Sequence, residues 1–552
     1  MFDWVKWILD WLLPPWTSVL RAMQNHDPLF EVKDMSIRKN RVSGLRRSWM
    51  LPAFLLLLAS GAMKAEPIRT PAPGPEPRIN GPRVYGCRPG RPFLYRIPCT
   101  GERPIRFEAR NLPAGLILDR DTGVIRGRTP EKRGEYLVEL QATGEKGKAR
   151  RPFKIVVGDT LALTPPMGWN SWYTWYNRIT DSLMRQAADS MIRSGMADFG
   201  YQYVNIDDCW MVSSEQKDPM IHGEPRGARG AILPNRHFPD MKGLADYIHG
   251  KGLKAGLYTS PGPYTCQVYA GSWQHEKEDA LQFAAWGFDF LKYDWCSYTG
   301  VAQGEGLERA QRPFRLMGAL LQQLDRDILF NLCQYGKDEV WKWGAEVGGQ
   351  CWRTTGDLGL ERGNELPGFY HIGRKNARHH AFAGPGAWND PDYILIGYVG
   401  NAHNIDDPPR KTTLTAEEQY SYMSLWSLMA SPLFFSGDIN RLDPFTLNVL
   451  CNAEVIDVNQ DPLGRQAKPI RESDRQMVFL KPLEDGSQAL GLFNLLPEEQ
   501  QISVRWSDLG LSGKQKIRDL WYQQDRGTHD AEYAARVAGH GVVLLRLWPS
   551  SF

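Results

Sequence analysis

Leu291-Lys292-Tyr293-Asp294-Trp295-Cys296 is the stretch that decides how this chain is read. It follows a helix-forming run, Glu276 to Trp286, and Gly287, a residue type suited to ending that helix. Phe288, Phe290 and Leu291 then read as a short buried strand. The strand ends in a lysine, a tyrosine and an aspartate. Burying such groups is costly unless they have partners or a use. In parallel α/β sheets the carboxyl end of a strand is where ligands sit. The alternative is that Lys292 and Asp294 only pair with each other in a barrel mouth, and this strand alone does not choose between the two.

The same plan repeats along the chain. Leu183, Ala187, Met191 and Ile192 keep helical spacing ahead of Tyr203-Val204-Asn205-Ile206-Asp207-Asp208. Met241, Leu244, Ala245 and Ile248 do so ahead of Leu253 to Tyr258, and Leu316 to Leu324 ahead of Ile328 to Tyr335. Gln350 to Asp357, Ala387 to Asp392 and Leu433 to Asp438 are further strands, the last preceded by a helix from Glu417 to Met429. With Met167-Gly168-Trp169-Asn170 as the first strand, these units predict a (β/α)8 barrel of about 250–300 residues.

The predicted carboxyl ends carry Trp169, Asp207, Asp208, Tyr258, Lys292, Asp294, Tyr335, Arg353, Asp357, Asp390 and Asp392. Most are acids, and few bases compensate them. Converging carboxylates repel, so their pKa values separate. Two carboxyls of separated pKa suit glycoside hydrolysis, one attacking the anomeric carbon and the other protonating the leaving oxygen. A structural ion-pair network at the rim is the alternative.

The flanks read differently. The chain has 552 residues, 42% hydrophobic and 23% charged, with net charge +3, so nothing points to nucleic acid as a partner. Residues 1–65 read as a leader: basic Arg38 to Arg47, the apolar Leu51 to Ala59, then small residues. The apolar run is short for a membrane span. It lies far in, so Met35 is the expected start and residues 1–34 an annotation artefact; an amphipathic membrane-associating helix is the rival. Residues 66–76 are Pro-rich and read as a linker. Residues 77–160 alternate in short strands with turns such as Asp119-Arg120-Asp121-Thr122-Gly123, the signal of a β-sandwich. They resemble immunoglobulin-like modules of bacterial surface and secreted proteins, and are read as a spacer more readily than as a sugar-binding module. Residues 161–465 hold the barrel, and residues 466–552 return to alternating strands, a C-terminal antiparallel β-sandwich.

The barrel motifs resemble glycoside hydrolase family 27, the α-galactosidase (melibiase) family. They are Pro165-Pro166-Met167-Gly168-Trp169-Asn170-Ser171-Trp172, Asn205-Ile206-Asp207-Asp208-Cys209-Trp210, Gly256-Leu257-Tyr258, Leu291-Lys292-Tyr293-Asp294, Trp352-Arg353 with Asp357, Trp388-Asn389-Asp390-Pro391-Asp392 and Val458-Asn459-Gln460-Asp461-Pro462-Leu463-Gly464. The resemblance implies a retaining exo-glycosidase acting on terminal α-D-galactose, with Asp294 as nucleophile and Asp357 as acid/base about 5–5.5 Å apart. It assigns Asp207 and Asp208 to the 4- and 6-hydroxyls, Lys292 to ring hydroxyls and to keeping Asp294 ionised, and Trp169 to an aromatic floor. Arg353 and Asp392 are further substrate contacts, as are Tyr258, Gln334 and Tyr335. No metal or organic cofactor is required. The same fold and mechanism on another sugar (an α-N-acetylgalactosaminide, a β-L-arabinopyranoside or isomalto-dextran) and a non-catalytic sugar-binding barrel are the alternatives.

The chain departs from the family in places. Cys333-Gln334-Tyr335 stands where Cys-Glu-Trp is frequent, so the 2-position contact lacks its charge. Tyr393 stands where methionine is frequent, and the usual partner of Cys209 is missing. The family pattern pairs Cys266 with Cys296 and Cys333 with Cys351, leaves Cys209 and Cys451 free, and Cys87 and Cys99 are a candidate pair in the β module. Disulfides fit an exported protein, secreted or periplasmic. His379-His380 lacks a third ligand at useful spacing, Ser171 and Ser297 lack a His–Asp arrangement, and no phosphate-binding loop precedes a helix. The oligomeric state is not legible.

Overall fold

A computed structural model describes residues 67–358, 366–400 and 408–550. The leader expected over residues 1–65 lies outside the described residues. Among the described residues no helix is long and apolar enough to cross a membrane.

The first domain is a two-sheet sandwich. Its strands are β1 (Val84–Cys87), β2 (Pro92–Arg96), β3 (Ile105–Arg110), β4 (Leu116–Leu118), β5 (Val124–Arg128), β6 (Gly134–Gly144) and β7 (Gly147–Val157). One sheet runs β1-β7-β6-β3 and the other β2-β5-β4. Alternation explains the packing: in β3, Ile105 and Phe107 turn inward while Arg106 and Glu108 face out. Phe93, Tyr95, Phe107, Ile125, Phe153 and Ile155 build the core. Cys87 and Cys99 are both buried and free, so the candidate disulfide is not formed.

The barrel strands are β8 (Met167–Asn170), β9 (Tyr203–Asn205), β10 (Lys254–Thr259), β11 (Phe290–Asp294), β12 (Leu329–Cys333), β13 (Cys351–Arg353), β14 (Trp388–Asp390) and β15 (Leu433–Phe435). They lie in parallel order β14-β13-β12-β11-β10-β9-β8-β15. The ring closes where Ile394, just past β14, bridges to Phe435. Helices α1 (Asp181–Arg193), α2 (Met241–Gly250), α3 (Glu276–Trp286), α4 (Gly306–Gln323) and α5 (Gly368–Ala377) alternate with the strands. Thr180 caps α1 by accepting from the Leu183 amide, and Asp240 caps α2 by accepting from Gly243. Gly287 ends α3 in the left-handed region, at φ 96°.

Helix α6 (Ala416–Leu428) differs from the others. It opens with a capping box between Thr415 and Glu418 and is buried from Glu418 to Leu428. Two layers cover it, the barrel and the last domain, which is why it carries no polar face. Two short helices, α7 (Pro444–Leu450) and α8 (Ala453–Asn459), complete the barrel domain. The last domain contains β16 (Lys468–Glu472), β17 (Gln476–Pro482), β18 (Gln488–Asn494), β19 (Gln500–Arg505), β20 (Gln515–Asp519), β21 (Gln524–His529), β22 (Glu532–Val537) and β23 (Val542–Pro549). Its main sheet runs β16-β17-β18-β23-β20-β21, with β19 and β22 paired as a second layer. Trp521 Nε1 donates to Ser424 Oγ at 2.8 Å and Ser421 Oγ to the His540 carbonyl at 3.0 Å, tying the domain to α6.

The first domain docks on the amino-terminal end of the barrel. Arg88 donates to Asp327 and to the carbonyls of Gln322 and Arg326, which follow α4 or end it. Arg91 and Arg128 pair with Asp325. Lys254, at the start of β10, donates to the Tyr85 hydroxyl. Gly252 lets the two domains approach: at φ 76° a Cβ would lie 2.6 Å from Val124 Cγ2. The stretch read as a linker is held against the barrel at its start, while residues 71–76 are exposed. Arg69 pairs with Glu417 and lies 4.5 Å from the Tyr420 ring centre, and Thr70 is buried against Asn448.

Candidate active site

Strand β11 is buried along its whole length. Lys292 and Asp294 are two residues apart, so they share one side of the strand, and Tyr293 faces the other. The Tyr293 ring packs on Phe314 and Phe330 in the core behind the barrel. Lys292 lies level with Tyr258 of β10 and Asn331 of β12, and Asp294 with Cys333.

Lys292 is the cation of this side. Its Nζ lies 3.2 and 3.0 Å from the Asp207 oxygens and 3.9 Å from Asp294 Oδ2. The faces of Tyr258 and Tyr393 are 5.2 and 5.3 Å away, and Trp172 is at 6.0 Å. Burial works against the ammonium charge, but Asp207, with Tyr393 and Asp294, holds the lysine well above its ordinary pKa. Asp207 is saturated. It accepts from Asn170 Nδ2 at 2.9 Å, from the Tyr393 hydroxyl at 2.9 Å and from the Asp208 amide at 3.0 Å.

Asp294 sits between opposing influences. Burial raises its pKa, Lys292 lowers it, and the Tyr335 hydroxyl, donating to Oδ1 at 2.6 Å, lowers it too. Asp357 adds a smaller upward push. Asp208 is pushed up to about 7, chiefly by burial, although the amides of Cys209 and Gln267 donate to it at 2.7 and 3.1 Å.

The other side of the mouth is organised by Arg353. Its Nη2 lies 3.1 Å from Asp357 Oδ1 and 3.2 Å from Asp392 Oδ2. Burial alone would discharge it, but Asp392 in particular holds it well above its ordinary value. Asp392 is pushed up to about 6 by burial, against the pull of Arg353. It also accepts from the Tyr173 hydroxyl at 3.1 Å and the Leu358 amide at 2.9 Å. Asp390 accepts from the Asp392 amide and from Asn331, and so fixes the strand end. Asp357 stands apart, its side chain 51% exposed at the rim.

The backbone is strained around this mouth. Cys209, Ser297, Tyr335 and Asp392 all have left-handed φ, at 79°, 55°, 65° and 84°. None is glycine, and such conformations cost about 1–3 kcal/mol each. Each follows a barrel strand closely, and at Tyr335 and Asp392 the turn aims a polar group back over the mouth.

The structure gathers most of the sequence-predicted residues here and relocates some. Trp169 was expected as an aromatic floor, but its ring is wholly buried and its Nε1 donates to the Gly437 carbonyl at 2.8 Å. The half-buried indole beside Lys292 is Trp172. Gln334 turns its Nε2 to the Lys337 carbonyl at 2.6 Å and makes no hydrogen bond to the acidic cluster among the described residues. Its Oε1 is buried without a partner. Cys266 and Cys296 are bonded as expected, with Cα atoms 4.9 Å apart. Cys333 and Cys351 are not bonded. Cys351 lies level with Asn331, two residues before Cys333. That offset puts their Cα atoms about 8 Å apart, beyond the roughly 6.8 Å a disulfide spans. Asn170, Tyr173 and Tyr393 were not predicted as site residues. For Asn170 and Tyr393 the available signal was position, beside Trp169 and Asp392; for Tyr173 there was none.

This arrangement can do acid–base and nucleophilic chemistry with two carboxyls, one buried beside a cation and one open to solvent. Comparison with known proteins agrees in kind. The family model described as Alpha galactosidase A matches residues 164–461, and that of the Alpha galactosidase C-terminal beta sandwich domain matches residues 473–547. The He_PIG model of Ig domains matches residues 79–158. The chain is 35% identical to an Oryza sativa alpha-galactosidase over 415 residues, 74% of this chain and 91% of the relative. It is 35% identical to alpha-galactosidase A of Cellvibrio japonicus over 435 residues, 75% of this chain and 96% of the relative. Alpha-galactosidase I of Mortierella vinacea superposes with a TM-score of 0.63 at 29% identity, covering 71% of this chain and 99% of that one.

Proposed function

The chain belongs to the α-galactosidase (melibiase) family, and on that premise we propose that it is a retaining exo-glycosidase that removes terminal α-D-galactose from oligosaccharides or polysaccharides. The observation that carries the reading is Asp294, buried at the end of β11 between Lys292 and the Tyr335 hydroxyl. Both neighbours favour its ionised form, which is the form that attacks. In the first step an Asp294 oxygen bonds to the anomeric carbon, the glycosidic C–O bond breaks, and Asp357 gives its proton to the leaving oxygen. In the second, Asp357 takes a proton from water, the water oxygen bonds to the anomeric carbon, and Asp294 leaves. The rim position of Asp357 suits this role, because the leaving group exits and water enters there. Asp208, Asp392 and Arg353 are assigned to sugar hydroxyls, while Asp207 and Lys292 hold one another. The half-buried Trp172 offers the ring face expected of Trp169. The leader expected before residue 66 places the enzyme outside the cytoplasm, where polymeric galactosides are met.

A panel of nitrophenyl glycosides tests this: α-galactose, α-N-acetylgalactosamine, β-L-arabinopyranose and α-glucose. Preference for α-galactose is the expected result. Preference for another sugar keeps the mechanism and moves the error to Gln334 and Tyr393. Inactivity on the whole panel together with glycan binding would establish a sugar-binding barrel instead. Asp357→Asn should slow substrates with poor leaving groups by about 10²–10⁴-fold while sparing activated ones. Equal slowing of both would remove Asp357 from the acid role.

A further inference from the structure

The disulfide Cys266–Cys296 lies against the proposed nucleophile. One oxygen of Asp294 and the two sulfurs lie within 4.8 Å of one another. The Tyr335 hydroxyl touches all three groups, at 2.6 Å from Asp294, 3.7 Å from Cys266 Sγ and 3.9 Å from Cys296 Sγ. Cys296 is buried, but Cys266 is exposed on the loop after β10, so an external thiol can reach it.

The loop does not need the S–S bond to stay in place. Ser297 Oγ accepts from the Tyr264 amide at 2.9 Å and donates to its carbonyl at 2.6 Å. Ser260 Oγ donates to the Cys296 carbonyl at 2.5 Å, and the Gln267 amide donates to Asp208 at 3.1 Å. These bonds flank both cysteines, so the sulfurs remain opposed after reduction.

We propose that Cys266, Cys296 and Asp294 form a binding site for a soft divalent cation, Zn²⁺ or Cd²⁺, that exists only when the disulfide is reduced and that blocks the active site when filled. A dithiol reductant passes two electrons and two protons to the disulfide, leaving two thiols and its own cyclic disulfide. The cation then displaces the two thiol protons. It gains two thiolates and one carboxylate, with water at the fourth position of a tetrahedron. Thiolates select Zn²⁺ and Cd²⁺ over Mg²⁺ and Ca²⁺. In the oxidised enzyme neither sulfur carries charge and the site does not form. Metal on Asp294 ties up the carboxylate that would attack the sugar. The inhibition therefore rests on the nucleophile reading; the binding does not.

The test uses the full chain in two forms, oxidised and reduced with a dithiol that is then removed without air. Cd²⁺ binding is read as thiolate-to-metal charge-transfer absorption, and activity is measured with added Zn²⁺. The reduced form should gain about one equivalent of absorption over the oxidised form, and should lose activity about tenfold or more at equimolar Zn²⁺, relative to its own metal-free rate. A chelator should restore it. Cys266→Ser should lose the added absorption. Equal Cd²⁺ binding by the oxidised and reduced forms, or undiminished binding by reduced Cys266→Ser, would overturn the site. If Cd²⁺ binds and activity survives, Asp294→Asn separates the causes. Unchanged affinity in that variant overturns Asp294 as a ligand; weakened affinity keeps the metal site and overturns Asp294 as nucleophile.

Discussion

At the amino-terminal end of the barrel Asp289 lies between a guanidinium and an imidazole. Its oxygens meet Arg326 Nη1 at 2.6 Å and His249 Nε2 at 2.7 Å, and one also accepts from the Ala255 amide at 3.0 Å. At the carboxyl end Asp294 lies 3.9 Å from a lysine already committed to Asp207. Both aspartates are buried, and burial raises both pKa values. For Asp289 the histidine and the arginine outweigh burial and the pKa falls below the ordinary value; for Asp294 burial wins and it rises. The first-domain side adds further matched pairs, Arg88 with Asp327 and Arg91 with Asp325. The mouth instead makes Asp207, Asp208, Asp294, Asp357, Asp390 and Asp392 share Lys292 and Arg353. Matched charge holds the domains together, whereas the shortage of cations at the mouth leaves Asp208, Asp294 and Asp392 raised by burial, the kind of site at which acid–base chemistry is found.

Substitutions can break this contrast, beginning with the largest effect. Asp294→Asn should cut turnover by about 10⁴-fold or more while leaving the melting temperature equal or higher, because it removes a charge the fold does not favour. A lower melting temperature with surviving turnover would place Asp294 among the structural pairs. Asp289→Asn should do the reverse. It should cost about 1–3 kcal/mol of stability by leaving the half-buried Arg326 guanidinium without its carboxylate, with kcat/KM for a nitrophenyl galactoside unchanged. The sign of its pH dependence follows from its lowered pKa. The stability Asp289 supplies is present above the ordinary aspartate value and is lost as pH falls through its folded value, so the variant and wild type should converge in acid. Asp208, raised to about 7, works the other way: its contribution is present below the ordinary value and lost as pH rises through about 7.

Tyr335→Phe is a finer probe. It removes a donor that favours the Asp294 carboxylate, so the acidic limb of kcat/KM should move to higher pH and turnover should fall about tenfold. An unmoved limb would show that Tyr335 only fills space. Smallest of all, Arg91→Ala should change stability by about 1 kcal/mol or less, since its partner Asp325 is largely exposed. A larger loss in chemical denaturation would show that the docking surface is more cooperative than its ion pairs suggest.

What could be read in advance was local. The helix-forming run Glu276 to Trp286, closed by Gly287, matches the observed bounds of α3, and α6 begins within a residue of its reading. Helix α4 begins earlier than its apolar run, at Gly306, because Pro313 and the neighbouring charges obscure a face made by Ala310, Phe314, Met317 and Leu321. The acids at strand ends were legible because a strand exposes the same residue types wherever it sits.

Sequence by itself determined the order of elements, the polarity of each strand and therefore which end of the barrel gathers the carboxylates. Period and turn chemistry act over a few residues and need no partner. Tertiary structure alone decided who meets whom. The register of neighbouring strands keeps Cys333 and Cys351 apart, and the closing of the ring brings Tyr393, past β14, to Asp207, past β9. The closing of the ring seals Trp169 and leaves Trp172 half-buried beside Lys292. The left-handed turn at Tyr335 sets its hydroxyl on Asp294 while Gln334 faces Lys337. Those outcomes depend on distances between segments far apart in the chain, which no local pattern encodes.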